Sequence, residues 1–122
     1  MTTEARIFSV SEFAHPTDSA DSEPVRSVLL ETEESVIIVW YVSPGQEIAA
    51  HIHPHGQDTW TVLSGSADYC QGNNVVTKLK TGEIAVAKPG QVHGAMNTDP
   101  ETPFIFVSVV APGSAGFALA EK

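Results

Sequence analysis

The chain has 122 residues, enough for one domain, and 42% of them are hydrophobic, which suits a packed core and not a disordered chain. Fifteen acids against six lysines and arginines give a formal net charge of −9. That balance lacks the clustered cations that phosphate backbones and anionic membranes require, so neither nucleic acid nor a membrane is expected as a partner. Cys70 is the one cysteine, so no disulfide can form within the chain, consistent with a reducing compartment. The opening MTTEARIFSV has no basic stretch followed by an apolar core, so no signal peptide is expected. The apolar run 36–42 is too short to cross a bilayer as a helix. A soluble cytoplasmic protein is the expectation.

The elements read as strands. Residues 5–10 carry Ile7, Phe8 and Val10 and suit a short first strand. Residues 11–26, with Pro16, Pro24 and several acids, read as a surface loop. Residues 28–31 and the β-branched and aromatic run 36–42 pair as a hairpin across a polar turn. Ser43-Pro44-Gly45 turns the chain into a strand over 47–53, which Pro54-His55-Gly56 breaks. Strands over 58–64 and 66–70 follow, then a Gln71-Gly72-Asn73-Asn74 turn. Short strands over 75–79 and 84–87 flank Thr81-Gly82, Lys88-Pro89-Gly90 makes a turn, and 104–110 is a strong late strand. Residues 116–122 form a small tail. No segment sustains a 3.6-residue apolar period, and short strands between turn signals indicate an all-β sandwich or barrel.

Histidines carry the chemical signal. His51 and His53 lie two apart in an extended segment, where residues i and i+2 share a face. A third, His93, follows a Pro-Gly turn forty residues later. Three neutral nitrogen donors with a nearby acid or amide suit a divalent transition metal.

The spacing of these residues resembles the two motifs of the cupin superfamily. Gly45, His51, His53, Asp58 and Gly65 fall at the positions of the first motif, and Gly82, Pro89, Gly90, His93 and Asn97 at those of the second. The sequence departs from the pattern twice. Lys88 stands where a proline is usual, although Pro89-Gly90 retains a turn-forming pair. The usual glutamate is absent: Asp58 fits one motif spacing and Gln57 the other. Strand parity favours Asp58, because residues 58, 60, 62 and 64 share a face with Trp60 and Val62, whereas Gln57 points inward only through a bulge.

The resemblance implies an all-β fold, a double-stranded β-helix or jelly-roll barrel of the small RmlC-like cupin kind. It implies one domain over residues 1–122, with an N-terminal strand and loop over 1–26, a barrel core over 27–112 and a tail over 113–122. His51, His53, Asp58 (alternatively Gln57) and His93 are then the expected ligands of a divalent transition metal: iron, manganese, nickel, zinc or copper. Trp60, Val62, Met96 and Phe106 are the expected pocket walls. The implied activity is a metal-dependent reaction on a small oxygenated molecule, of dioxygenase, isomerase or lyase type, at an open metal position. The alternative is a non-catalytic ligand-binding or structural cupin. Small cupins commonly dimerise, so a homodimer is expected, with residues 7–10 as one segment able to pair across it. Of the remaining candidates, His55 reads as a solvated loop residue, His15 carries no functional signal, and Cys70 reads as a small apolar strand residue. Trp40 reads as core or pocket wall. Asn97 reads as a turn residue or as a partner that orients His93.

Overall fold

The computed structural model describes residues 4–16 and 23–122. Among these residues one 3-10 turn, Val10–Glu12, precedes ten strands: β1 Val25–Glu31, β2 Val36–Val42, β3 Glu47–Ile52, β4 Gln57–Ser64, β5 Ser66–Cys70, β6 Val76–Lys80, β7 Ile84–Ala87, β8 His93–Met96, β9 Phe104–Ala111 and β10 Ala118–Leu119. They form two five-stranded sheets, β1-β2-β9-β4-β7 and β10-β3-β8-β5-β6, antiparallel throughout. Two sheets whose inner faces enclose one core make the double-stranded β-helix expected from the sequence.

Alternation along the strands explains which face is inside. In β9, FIFVSVVA, residues 104, 106, 108 and 110 are buried and their neighbours only partly so. In β4, Asp58, Trp60 and Val62 are buried, while Leu63 faces out. Phe104, Phe106, Trp60, Val62, Val42 and Tyr69 fill the space between the sheets. Burying a large aromatic side chain of this kind contributes about 1.5–3 kcal/mol.

Two glycines permit close approaches. Gly65 ends β4 with φ at +75°, and a Cβ there would lie 2.1 Å from the Pro103 carbonyl oxygen. Gly94 lets β8 press onto β3: an added Cβ would meet the Ile48 carbonyl oxygen at 2.7 Å and Ala50 at 3.0 Å.

The structure corrects the sequence reading at both ends. Residues 4–9 form no strand, and Ile7 is 94% exposed; an apolar run without a neighbouring strand has no ladder to join. β1 begins at Val25, inside the stretch expected to be loop, of which residues 17–22 lie outside the described residues. The tail is not a mere appendage, since Ala118 and Leu119 pair with Ile52 and His51 of β3. The strand β8 was not anticipated either: four residues containing a glycine give no recognisable alternation.

Candidate metal centre

Asp58 comes from the first sheet and the histidines from the second. His51 lies on β3, His53 just beyond its end, and His93 opens β8. A β-bulge makes this possible. Ile48 pairs with Ala95, but three residues later His51, not Ala50, stands opposite His93. One extra residue on β3 thus swaps an alanine for an imidazole at the inner position. The ring centroids of His51 and His93 are 4.1 Å apart, those of His51 and His53 5.1 Å, and those of His53 and His93 5.2 Å.

One ligand atom each of His51, His53, Asp58 and His93 lies within 4.8 Å of the others, a group able to hold a metal ion. The outer nitrogens decide which atoms face inward. Each Nδ1 lies on a backbone carbonyl: Ala49 at 2.7 Å for His51, Gly116 at 2.8 Å for His53 and Gln91 at 3.1 Å for His93. A carbonyl only accepts, so each Nδ1 carries a proton and each Nε2 faces the centre, where it can ligate a cation or, when protonated in His53 and His93, donate to Asp58. The Nε2 atoms of His53 and His93 sit 3.2 and 3.0 Å from Asp58 Oδ2. Two lone pairs facing a carboxylate repel unless a proton or a cation lies between them. Three such nitrogens and one carboxylate oxygen are the donor set of a first-row divalent ion, so the residues fit the metal the fold implies.

The electrostatics agree. Burial pushes the His51 imidazolium down to about 4, and the neighbouring His93 adds to the shift, so His51 is neutral at pH 7. His53 is raised, chiefly by its hydrogen bond to Asp58. Burial alone would raise the Asp58 carboxyl, but hydrogen bonds from His53, His93 and Ser108 outweigh it and hold the group well below the usual carboxylate range. The Ser108 hydroxyl donates to Asp58 Oδ1 at 2.5 Å.

A cavity of about 690 Å³ opens from this group. Arg26, Ile38, Trp40, Trp60, Val110 and Phe117 are among its walls, together with His51, His53, Asp58 and Ser108. Trp40 and Trp60 both stack on Phe106, at 6.2 and 4.1 Å. Among the expected wall residues, Trp60 lines the cavity. Val62 and Phe106 instead lie in the core, Phe106 as the backing of the two tryptophans, and Met96 is 37% exposed at the end of β8.

Gln57 is exposed, with its amide directed to Thr59 Oγ1 at 3.4 Å, so Asp58 and not Gln57 stands in the group. His15 and His55 are exposed and Cys70 is buried in β5; none of them joins it. Asn97 is fully buried and structural. Its amide donates to the carbonyls of Val42 and Thr102, and its Oδ1 accepts from the Asp99 N–H, which holds the turn after β8. The sequence reading missed Ser108, although a lone hydroxyl in the otherwise apolar FIFVSVVA was a usable signal. It also missed Arg26, the one lysine or arginine among the described cavity residues. No helix among the described residues is long and apolar enough to cross a membrane.

Comparison with known proteins agrees with this geometry. The family model described as "Cupin domain" matches residues 38–110. A crystal structure of an uncharacterized conserved protein with a double-stranded β-helix domain from Klebsiella pneumoniae subsp. pneumoniae is 70% identical, with 98% of this chain and 100% of that one covered and a TM-score of 0.90. An RmlC-like cupin protein from Desulfovibrio desulfuricans shares the fold at 20% identity, over 80% of this chain and 96% of that one, with a TM-score of 0.66. The DMSP lyase DddQ from Ruegeria pomeroyi does so at 16% identity, over 93% of this chain and 59% of that one, with a TM-score of 0.70. No curated protein matches the chain. With a matched model spanning most of both sheets and a relative of this identity along nearly the whole length, the chain belongs to the cupin domain family.

Proposed function

We propose that this cupin binds a divalent transition metal through His51, His53, Asp58 and His93 and acts as an enzyme on a small oxygenated organic molecule held in the adjoining cavity. The observation that carries the reading is the convergence of four donors, of which His51, His53 and Asp58 line a cavity of about 690 Å³. A purely structural metal would be enclosed on all sides, whereas this group faces open space walled by tryptophans. Four protein donors leave one or two positions on a five- or six-coordinate ion. An ion bound there supplies Lewis acidity or dioxygen chemistry. The protein's part is to hold the donors in one tautomer, keep Asp58 ionised through Ser108, and exclude water with Trp40, Trp60 and Ile38. Lyase chemistry, named for one structural neighbour, is one of the reaction types such a centre supports, beside isomerase and dioxygenase chemistry.

Elemental analysis of protein purified without chelator or metal-affinity tag tests the centre first. Near one equivalent of iron, manganese, nickel, copper or zinc is expected. The paramagnetic enhancement of water relaxation in manganese-loaded protein then tests the open position. A saturated shell would give no fast-exchanging water and would favour the structural reading. A full metal complement with exchangeable water but no turnover of any oxygenated substrate would favour a ligand-binding cupin.

The proposal includes a homodimer. Light scattering on the full chain and on a chain beginning at residue 23 tests whether the first segment, with its exposed Ile7, contributes to it.

A further inference from the structure

Among the described residues each sheet has two edge strands, and an uncovered edge offers its backbone N–H and C=O groups to any other strand. Three of the four edges are guarded. β1 carries Arg26 and Glu31 and a bulge after Val28, β6 carries Lys78 and Lys80, and β10 has only two residues. The fourth, β7, reads Ile84-Ala85-Val86-Ala87, with no charge, proline or bulge within it. Its two larger side chains face away from the core: Ile84 is 61% and Val86 47% exposed, while Ala87 is buried. The outer face continues on β4 with Thr59, Thr61 and the 44% exposed Leu63. β7 pairs with β4 alone, and all four of its residues border an open cavity of about 770 Å³.

The register fixes which backbone groups are free. The Val62 N–H donates to the Glu83 carbonyl at 3.0 Å, so Glu83 turns its backbone groups to β4. Successive residues alternate, so Ala85 and Ala87 do the same, and the N–H and C=O of Ile84 and Val86 lie on the free edge. An antiparallel copy of β7 matches this arrangement. With Ala85 opposite its own counterpart, Ile84 stands opposite the partner's Val86 and Val86 opposite the partner's Ile84. Each of these two pairs can exchange two backbone hydrogen bonds, and both set isoleucine against valine on the outer face. The flanking charges are opposite in sign, because the Glu83 end of one copy meets the Lys88 end of the other. A chain of net charge −9 repels its own copy, and β7 lets two copies touch without like charges meeting.

We propose that β7 is a self-pairing edge: two copies of the chain join through it, antiparallel about a two-fold axis, so that their first sheets continue as one ten-stranded sheet. This names the surface of the homodimer proposed above and rests on that reading. The interface strand directly backs the strand that carries Asp58, which stands opposite Ala87.

Sedimentation velocity on the full chain, with amide hydrogen exchange on the same samples, tests it. A dimer is expected, its Ile84 and Val86 amides protected at high concentration and exchanging freely after dilution below the dissociation constant. Val86→Lys sets a charge on the edge and acts twice across the two-fold axis, so it is expected to raise the dissociation constant at least about 100-fold. Val86→Pro removes an edge N–H without touching a bond to β4 and is expected to weaken the dimer as well. The amide spectrum shows whether each variant is folded. A dimer whose Ile84 and Val86 amides exchange as fast as in the monomer overturns the proposal, as does a folded Val86→Lys chain that dimerises as tightly as the unmodified one. Loss of the dimer in Ile7→Lys, with Val86→Lys unaffected, assigns the contact to the first segment and overturns it likewise. Should both Val86 variants fail to fold, amide exchange in the unmodified chain decides alone. A chain that stays monomeric at every concentration is a failure of the homodimer reading itself, and sedimentation shows it separately.

Discussion

The two sheets contribute opposite chemistry to one centre. The first, β1-β2-β9-β4-β7, brings the carboxylate of Asp58, the hydroxyl that holds it, and an aromatic wall of Trp40 and Trp60 backed by Phe106. The second, β10-β3-β8-β5-β6, brings His51 and His93, with His53 directly beyond β3. The imidazoles are tied by their outer nitrogens to backbone carbonyls within β3, before β8 and ahead of β10. The four-residue group draws on both sheets. The lesson is that the first sheet tunes charge and the second fixes direction, and changes on the two sides should fail differently.

Removing direction has the largest effect. His51→Ala combined with His53→Ala leaves one imidazole and one carboxylate, and metal content is expected to drop to background in elemental analysis; full retention would mean the centre lies elsewhere. Removing charge comes next. Asp58→Ala should weaken metal binding by more than about 100-fold, because outer partners alone are worth about 10–100-fold. Gln57→Ala should leave it unchanged, since Gln57 faces solvent. A competition titration against a chelator compares the two, and a larger loss from Gln57→Ala would reverse the assignment.

Ser108→Ala sharpens the comparison from the first sheet without touching a ligand. Losing the hydrogen bond to Asp58 is expected to weaken metal binding by about 10–100-fold. His53 should retain a raised pKa, because its own contact with Asp58 remains. Equal chelator resistance in this variant and the unmodified chain would show that Ser108 only fills space.

Acidity has the most graded effect. A metal must displace the proton of His53, which is raised above the ordinary histidine value of about 6.5. Affinity is therefore complete above the His53 pKa and falls by about tenfold per pH unit below it. His51, pushed down to about 4, stays neutral across that window and adds no further loss until much lower pH. Metal retention measured from pH 8 to pH 3 should begin to decline at or above 6.5; a decline that starts only near pH 4 would make His51 the controlling group.

Much of this was legible from residue order. Alternation in 104–110 and 58–64 reveals two strands and their inner faces, and parity alone places Asp58 with Trp60. The His-x-His pair and the Pro-Gly-bounded His93 identify the histidines as a set. Other features were not legible. β8 is too short to show a period, and β10 is a two-residue strand that exists only because β3 offers an edge. The bulge that puts His51 opposite His93 depends on register between strands forty residues apart.

By itself, then, the sequence determined the strand faces, the turn positions and the types of donor, because these depend on side-chain period, backbone φ and ligand chemistry within a few residues. Only the tertiary structure decided that Asp58 is held ionised against burial by partners from β9, β8 and the end of β3, and that the outer nitrogens of the histidines are pinned. It also decided that Trp60 is left with an unanswered donor. Each of these is an interaction between segments distant along the chain, and its energy depends on burial and on a partner's position, which exist only once the two sheets have closed on each other.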